Sequence, residues 1–241
     1  KRPVYFFWLG LTGVSLFNTF VYVGAHYTSA INLALIGTTS SPVISLLLAR
    51  IFLKEKIGPY RFAGLLLCIA GVLFLLCKGD FRNILQLQFG RGDLWVLLAA
   101  FCFSVYNTLV KKKPAELPPR AYLLATFLVG TLLLVPIFVW ELNRHAPVHW
   151  NFHLAASIAY LGIGASVICF SIWNIAISLL GAGRTALFGN LIPVFSTMEA
   201  AWLLHEDFRW HHLVGMILVF SGILLANWQV FRPAKRVLPQ S

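Results

Sequence analysis

Charge is what this chain has least of. Asp, Glu, Lys and Arg together make 11% of its 241 residues, and only eight residues are acidic. With 59% hydrophobic residues and a mean hydropathy of +0.80, its apolar surface is too large for one soluble core to hide. Enzyme signatures are absent as well. No Gly-x-Ser-x-Gly, no His-Glu-x-x-His and no paired aspartates occur, which leaves a membrane enzyme without a visible constellation. Cysteine is sparse. Cys68, Cys77, Cys102 and Cys169 lie in apolar stretches without metal-type spacing and read as packing residues, with no disulfide framework. No segment has the pattern of a cleaved leader, because the first apolar span follows Lys1-Arg2-Pro3 directly.

What is present is length of apolar run. Eight helical spans are expected, at 5–26, 32–53, 60–77, 93–110, 121–141, 153–179, 185–204 and 212–230. Each is near the ~20 residues that cross ~30 Å of hydrocarbon. The runs are continuous rather than alternating, which favours helices over a barrel. The expected fold is therefore an all-α polytopic membrane protein.

The net charge of +11 does not imply nucleic acid. With both termini cytoplasmic, 14 of the 19 basic residues fall on the inner side, among them Arg50, Lys54, Lys56 and Lys111-Lys112-Lys113. That excess is the positive-inside bias of an inner-membrane protein, and it sets the orientation.

The chain also repeats itself. Pro42, Val43, Ser45, Leu53, Glu55, Gly64, Leu67, Gly71 and Leu73 recur 151 residues later as Pro193, Val194, Ser196, Leu204, Glu206, Gly215, Leu218, Gly222 and Leu224. Five reversals of the chain separate the copies, so the second is upside down. The loop Lys54-Glu55-Lys56 matches His205-Glu206-Asp207, a charge contrast that agrees with the inversion. Inverted repeats mark secondary transporters, with the site where the repeats meet. The second copy has two spans, 93–110 and 121–141, without counterparts in the first. The expectation is eight spans visible of ten (5+5). The division expected is a first, incomplete repeat over 1–80, an outer loop over 81–92, a second repeat over 93–231 and a cytoplasmic tail over 232–241.

These residues carry a resemblance. Phe17-Asn18-Thr19, Tyr22, Tyr27-Thr28-Ser29-Ala30, Ser41-Pro42-Val43 and Phe52-Leu53-Lys54-Glu55-Lys56 resemble an EamA-type member of the drug/metabolite transporter superfamily. So do Leu191-Ile192-Pro193-Val194-Phe195 and Leu204-His205-Glu206. The resemblance implies two five-helix repeats, ten spans, cytoplasmic termini and export or exchange of small metabolites, amino acids or drugs. No cofactor is expected. The second Glu lacks the basic follower that such proteins carry.

For a binding site the residues point to the midplane. Pro42 and Pro193 remove a backbone hydrogen bond near the centre of their spans and are expected to break the helices there. Thr38, Ser41 and Ser45 form one polar stripe, whose offset image is Gly189, Ile192 and Ser196, with Glu199 one turn on. Asn190 is half a revolution from Glu199, so the two cannot share one cavity, and Glu199 ranks first. Glu199 is the one acidic residue well inside a span, suited to exchange a proton or to meet a cationic part of a solute. Asn18, Tyr22, Trp173, Asn174 and Tyr106 supply amides beside aromatics, a usable wall for an amphipathic solute. The same polar groups could instead join helices, as Ser104 and Asn107 on 93–110 also could.

Two further features are expected to carry no chemistry. All seven histidines fall on the outer side or its rim; His145-x3-His149-x3-His153 has metal-like spacing, but Pro147 interrupts it, and no metal is expected. Gly64, Gly71, Gly215 and Gly222 allow close helix approach, within the chain or in a homodimer seamed by spans 60–77 and 212–230. The partners expected are a small-molecule solute and membrane lipid.

Overall fold

The computed structural model describes residues 2–80, 82, 90–113, 119–143, 150–203 and 209–231. Its elements are all helical and are numbered here in chain order. α1 runs through Arg2–Gly10, a π-helical segment Leu11–Ser15, and Leu16–Tyr27. α2 is Ala30–Phe52, α3 is Pro59–Leu76, α4 is Arg91–Lys111 and α5 is Pro119–Leu142. α6 joins Phe152–Ala159, a π-helical stretch Tyr160–Cys169, and Phe170–Leu180. α7 joins Ala182–Leu187, a 3-10 turn Phe188–Leu191, and Ile192–Leu203; α8 is Trp210–Phe231. Among the described residues seven helices are long and apolar enough to cross a membrane. The protein is an all-α polytopic membrane protein.

Local chemistry places the helix starts. The Ser29 hydroxyl accepts from the Asn32 N–H at 3.2 Å to cap α2, and the Asn151 side-chain Oδ1 accepts from the Leu154 N–H at 2.7 Å to cap α6. Pro59 opens α3 directly after Gly58, where its missing N–H costs nothing. Asp93 sits in the first turn of α4, where its carboxylate accepts from the Gly90 N–H at 2.7 Å.

The repeat is visible in the element boundaries. α3 and α8 begin at Pro59 and Trp210, and α2 and α7 end at Phe52 and Leu203, both pairs 151 residues apart. The π-helical segment 11–15 maps by the same offset into the π-helical stretch 160–169, with Gly13 and Ser15 answered by Gly164 and Ser166. Widened turns of this kind are uncommon and concentrate at functional sites. Hydropathy carries no sign of them, since an extra residue in one turn leaves an apolar run apolar.

The prolines behave unequally. α7 does break near Pro193, through the 3-10 turn at 188–191. Pro42 does not break α2, which is one continuous α-helix from Ala30 to Phe52. The residue four before Pro193 is Gly189, a poor helix former with no side chain to brace the turn. At the matching place in α2 stands Thr38, whose hydroxyl donates back to the Ala34 carbonyl at 2.6 Å.

The chain forms two compact units. The first comprises 1–55 and 87–186, the second 56–86 and 187–241, so each draws on both repeats. In the first unit α4 is the central rod, packed against α1, α2 and α6, while α5 lies on α1. Leu9, Tyr106, Val110, Tyr122, Ile177 and Ala182 form its core. Glu55, just past α2, lies against Gly181 at the start of α7: a Cβ on that glycine would stand 2.6 Å from Glu55 Oε1.

In the second unit α3 and α8 pack along their length, around Cys68, Val72, Leu75, Val194, Met216, Val219 and Ile223. The glycine seam lies inside this pair. A Cβ on Gly64 would stand 2.4 Å from the Gly222 carbonyl oxygen, and one on Gly71 would stand 2.9 Å from the Gly215 carbonyl oxygen. The two rods are therefore antiparallel, as an inverted repeat requires. Each glycine face is packed against the other within the chain.

Candidate functional site

The polar groups of the first unit converge on α4. Asn107 is fully buried and bridges two neighbouring helices. Its Nδ2 donates to the Ser45 hydroxyl on α2 at 3.4 Å, and its Oδ1 accepts from Trp173 Nε1 on α6 at 2.9 Å. An indole nitrogen only donates, which fixes which end of the Asn107 amide faces Trp173. One residue earlier, the Tyr106 hydroxyl donates to Asn174 Oδ1 at 2.7 Å. Ser104 donates to the Ser41 carbonyl on α2 at 3.1 Å and to Ala100 O at 2.7 Å. About one turn each of α2, α4 and α6 is thus stitched together by hydroxyls, amides, a phenol and an indole.

Aromatic rings complete the wall. Phe103 stacks on Tyr106 with centroids 5.9 Å apart and lies 5.8 Å from Trp173 and 4.8 Å from Phe17. Phe170 stands 5.9 Å from Tyr106. The ring of Tyr106 fits because residue 13, in the π-helical segment of α1, is glycine: a Cβ there would stand 2.2 Å from Tyr106 Cδ2. Trp173 and Phe103 are half-buried, whereas Asn107, Ser45 and Tyr106 are sealed. Buried amides hold the geometry, and half-open rings offer a surface.

Of the residues expected to bind solute, Tyr106, Trp173 and Asn174 come together here, and Ser41 joins through its carbonyl. Thr38 is buried with its hydroxyl turned to its own helix. Asn18 likewise donates to Val14 O at 2.7 Å within α1. Tyr22 is 64% exposed and outside the cluster. Ser196 and Glu199 belong to the second unit and are exposed on α7. Asn190, ranked below Glu199, is fully buried on the 3-10 turn, where its Nδ2 donates to Leu187 O at 3.0 Å.

Sequence reasoning did not single out Asn107 as the hub, although its alignment with Ser104 one turn away was the available signal. Phe17, Phe103 and Phe170 were hidden among ordinary apolar residues. Asp93 stands in the first turn of α4, at the end of its span. It is buried, accepting from Thr28 Oγ1 and, at 3.4 Å, from Asn32 Nδ2, so it ties α4 to the turn between α1 and α2. Among the described residues no cluster of His, Cys, Asp or Glu could hold a metal. His145, His149 and most of the 81–92 loop lie outside the described residues, as do Glu206 and the tail from 232.

Comparison with known proteins settles the class. The EamA-like transporter family matches residues 1–77 and 90–228. The chain belongs to the EamA-like transporter family. It is 28% identical over 241 residues to the uncharacterized transporter YyaM of Bacillus subtilis (strain 168), covering all of this chain and 78% of that protein. An uncharacterized transporter of Archaeoglobus fulgidus is 27% identical over 219 residues, covering 91% of this chain and 74% of its own length. One solved crystal structure superposes with a TM-score of 0.75 at 20% identity, over 95% of this chain and 77% of the other, a likeness of fold alone. This EamA-like protein is accordingly a multi-pass membrane transporter.

Proposed function

We propose that this EamA-like protein is a secondary carrier, not an enzyme, that exports small amphipathic solutes, amino acids and aromatic relatives among them, by alternating access. The observation that carries this reading is the Asn107–Trp173 bond: a buried amide holds a half-open indole beside Phe103 and Tyr106. An apolar wall with a few fixed polar groups is what a small amphipathic ligand needs. In this reading Trp173 and Asn174 face the solute, and the sealed Tyr106 holds Asn174 in place while Ser41 and Thr38 build the adjacent part of α2. The π-helical segments give α1 and α6 turns able to shift register as the carrier changes state.

Glu199 acts as the proton carrier. Its side chain is exposed on α7 and makes no hydrogen bond among the described residues, so it is not committed to holding the fold. A carboxylate within a span is costly in lipid unless neutral or hydrated, which suits a group that alternates between the two forms. In this reading both termini lie in the cytoplasm of a cell with an inner membrane, an orientation that the positive-inside rule supports.

Flux of aromatic amino acids in liposomes carrying only this chain tests the proposal. Saturable flux driven by a pH gradient is expected, with Glu199→Gln keeping solute exchange but losing the response to the gradient. Ohmic current without saturation would replace the carrier by a channel.

A further inference from the structure

Asn174 is half-buried on α6, and the two ends of its amide are differently engaged. Oδ1 accepts from the Tyr106 hydroxyl at 2.7 Å. The Tyr106 ring is sealed and its hydroxyl has no second partner among the described residues, so the hydroxyl must donate to Asn174. That requirement turns the oxygen of the amide, not its nitrogen, toward Tyr106. Nδ2 is left at the other end, buried and donating to nothing among the described residues. A buried donor left unmade is unfavourable, so this end of Asn174 calls for an acceptor.

Every other side-chain donor on this stretch of α6, Phe170–Leu180, is spent. Ser171 and Ser178 give their protons to the Val167 and Ile175 carbonyls at 2.5 and 2.7 Å, and Trp173 Nε1 gives its own to Asn107 Oδ1 at 2.9 Å. Asn174 Nδ2 is the one donor left over. What adjoins Asn174 is room: a cavity of about 830 Å³ between α5 and α6, lined also by Phe127, Val167 and Ser171. The Phe127 ring stands 5.3 Å from Phe170, which joins the cavity to the rings of the solute wall.

We propose that Asn174 decides which solutes this carrier takes, an inference that rests on the carrier reading above. Its Nδ2 donates to a carboxyl oxygen of an aromatic acid whose hydrocarbon part lies against Phe127 and Val167. An ammonium group brings donors only, and Asn174 Oδ1 already serves Tyr106. The amine of an amino acid is therefore not the group that is read, and aromatic acids without one are accepted. Hydrogen bonds to a charged acceptor are the stronger kind, which favours a carboxylate over an alcohol or an ester.

Calorimetric titration of the full chain in mild detergent tests this with three probes that share a phenyl ring: 3-phenylpropanoate, phenylalanine and 2-phenylethylamine. The two carboxylates should bind alike, and the amine about tenfold more weakly, the factor for one hydrogen bond to a charged group. Asn174→Leu should bring the carboxylates down to the level of the amine. Leucine also strands the Tyr106 hydroxyl, so Asn174→Asp is the sharper variant. It keeps an oxygen for Tyr106 but puts an acceptor where Nδ2 stood, and the preference should turn toward the amine. If neither variant yields folded protein, the order of the three probes on the wild type decides. A purely structural Asn174 would weaken all three probes equally and leave their order unchanged, which would overturn the proposal. Equal binding of amine and carboxylates by the wild type, or binding of none, would overturn it too. Failure of the carrier reading shows elsewhere: selective binding of the carboxylates without saturable flux would end that reading and leave the preference standing.

Discussion

Cys68 and Val219, 151 residues apart, meet where α3 and α8 cross: the thiol donates to the Val219 carbonyl at 3.6 Å. Each is the repeat image of the other. On either side the contacts are exchanged, with Gly64 on Gly222 and Gly71 on Gly215, as a local two-fold axis at Cys68 and Val219 demands. Gly64→Val and Gly222→Val should therefore be about equally damaging, since both push a branched side chain into facing backbone. A loss of at least ~3 kcal/mol is expected for overpacking of this severity. Thermal unfolding in detergent reads it, with Gly189→Ala as a control, because a Cβ there meets nothing within 4 Å.

Asn107→Leu should cost about 1–3 kcal/mol, because it leaves Trp173 Nε1 and the Ser45 hydroxyl without their partner. A double-mutant cycle with Trp173→Phe is the sharper measurement. Phenylalanine removes the indole donor, so the two losses should fail to add, leaving a coupling of ~0.5–3 kcal/mol. Additive losses would mean that the hydrogen bond contributes nothing.

Gly13→Ala tests how α1 supports the solute wall. The new methyl would stand 2.2 Å from Tyr106 Cδ2, so the ring or α1 must move. Tyr106 then draws away from Asn174. We expect weakened solute binding, seen as a raised KM for flux, together with lower thermal stability. Wild-type KM in a stable variant would show that the Tyr106 position is irrelevant to binding.

Asp93→Ala removes the acceptor shared by Gly90 N–H, Asn32 and Thr28. A destabilisation of about 1–3 kcal/mol is expected from the stranded donors. Asp93→Asn should retain part of it, since an amide oxygen still accepts. Equal unfolding temperatures for wild type and the Ala variant would contradict the structural role given to this carboxylate.

The sequence made the scaffold legible because hydrocarbon imposes a simple rule, namely apolar runs of fixed length. All eight expected spans coincide with helical rods, and the offset of 151 recurs at Phe52 and Leu203. Departures from regular helix were not legible. Pro42 and Pro193 read alike, yet only α7 breaks, because the residue four positions earlier differs: Thr38 in one helix and Gly189 in the other. The π-helical turns at 11–15 and 160–169 left no trace in hydropathy. At the site, the sequence shows Trp173 beside Asn174 on one span. It could not show that Asn107 reaches both Trp173 and Ser45, because a pattern within one helix says nothing of which helix lies opposite.

The most direct measurement is solute counterflow in liposomes reconstituted with the full chain, comparing wild type with Trp173→Ala. An alternating-access carrier whose solute lies on the Trp173 wall predicts saturable uptake accelerated by unlabelled solute on the far side, with KM raised at least tenfold by Trp173→Ala. Uptake that is linear in concentration, indifferent to solute on the far side and unchanged by Trp173→Ala would contradict it.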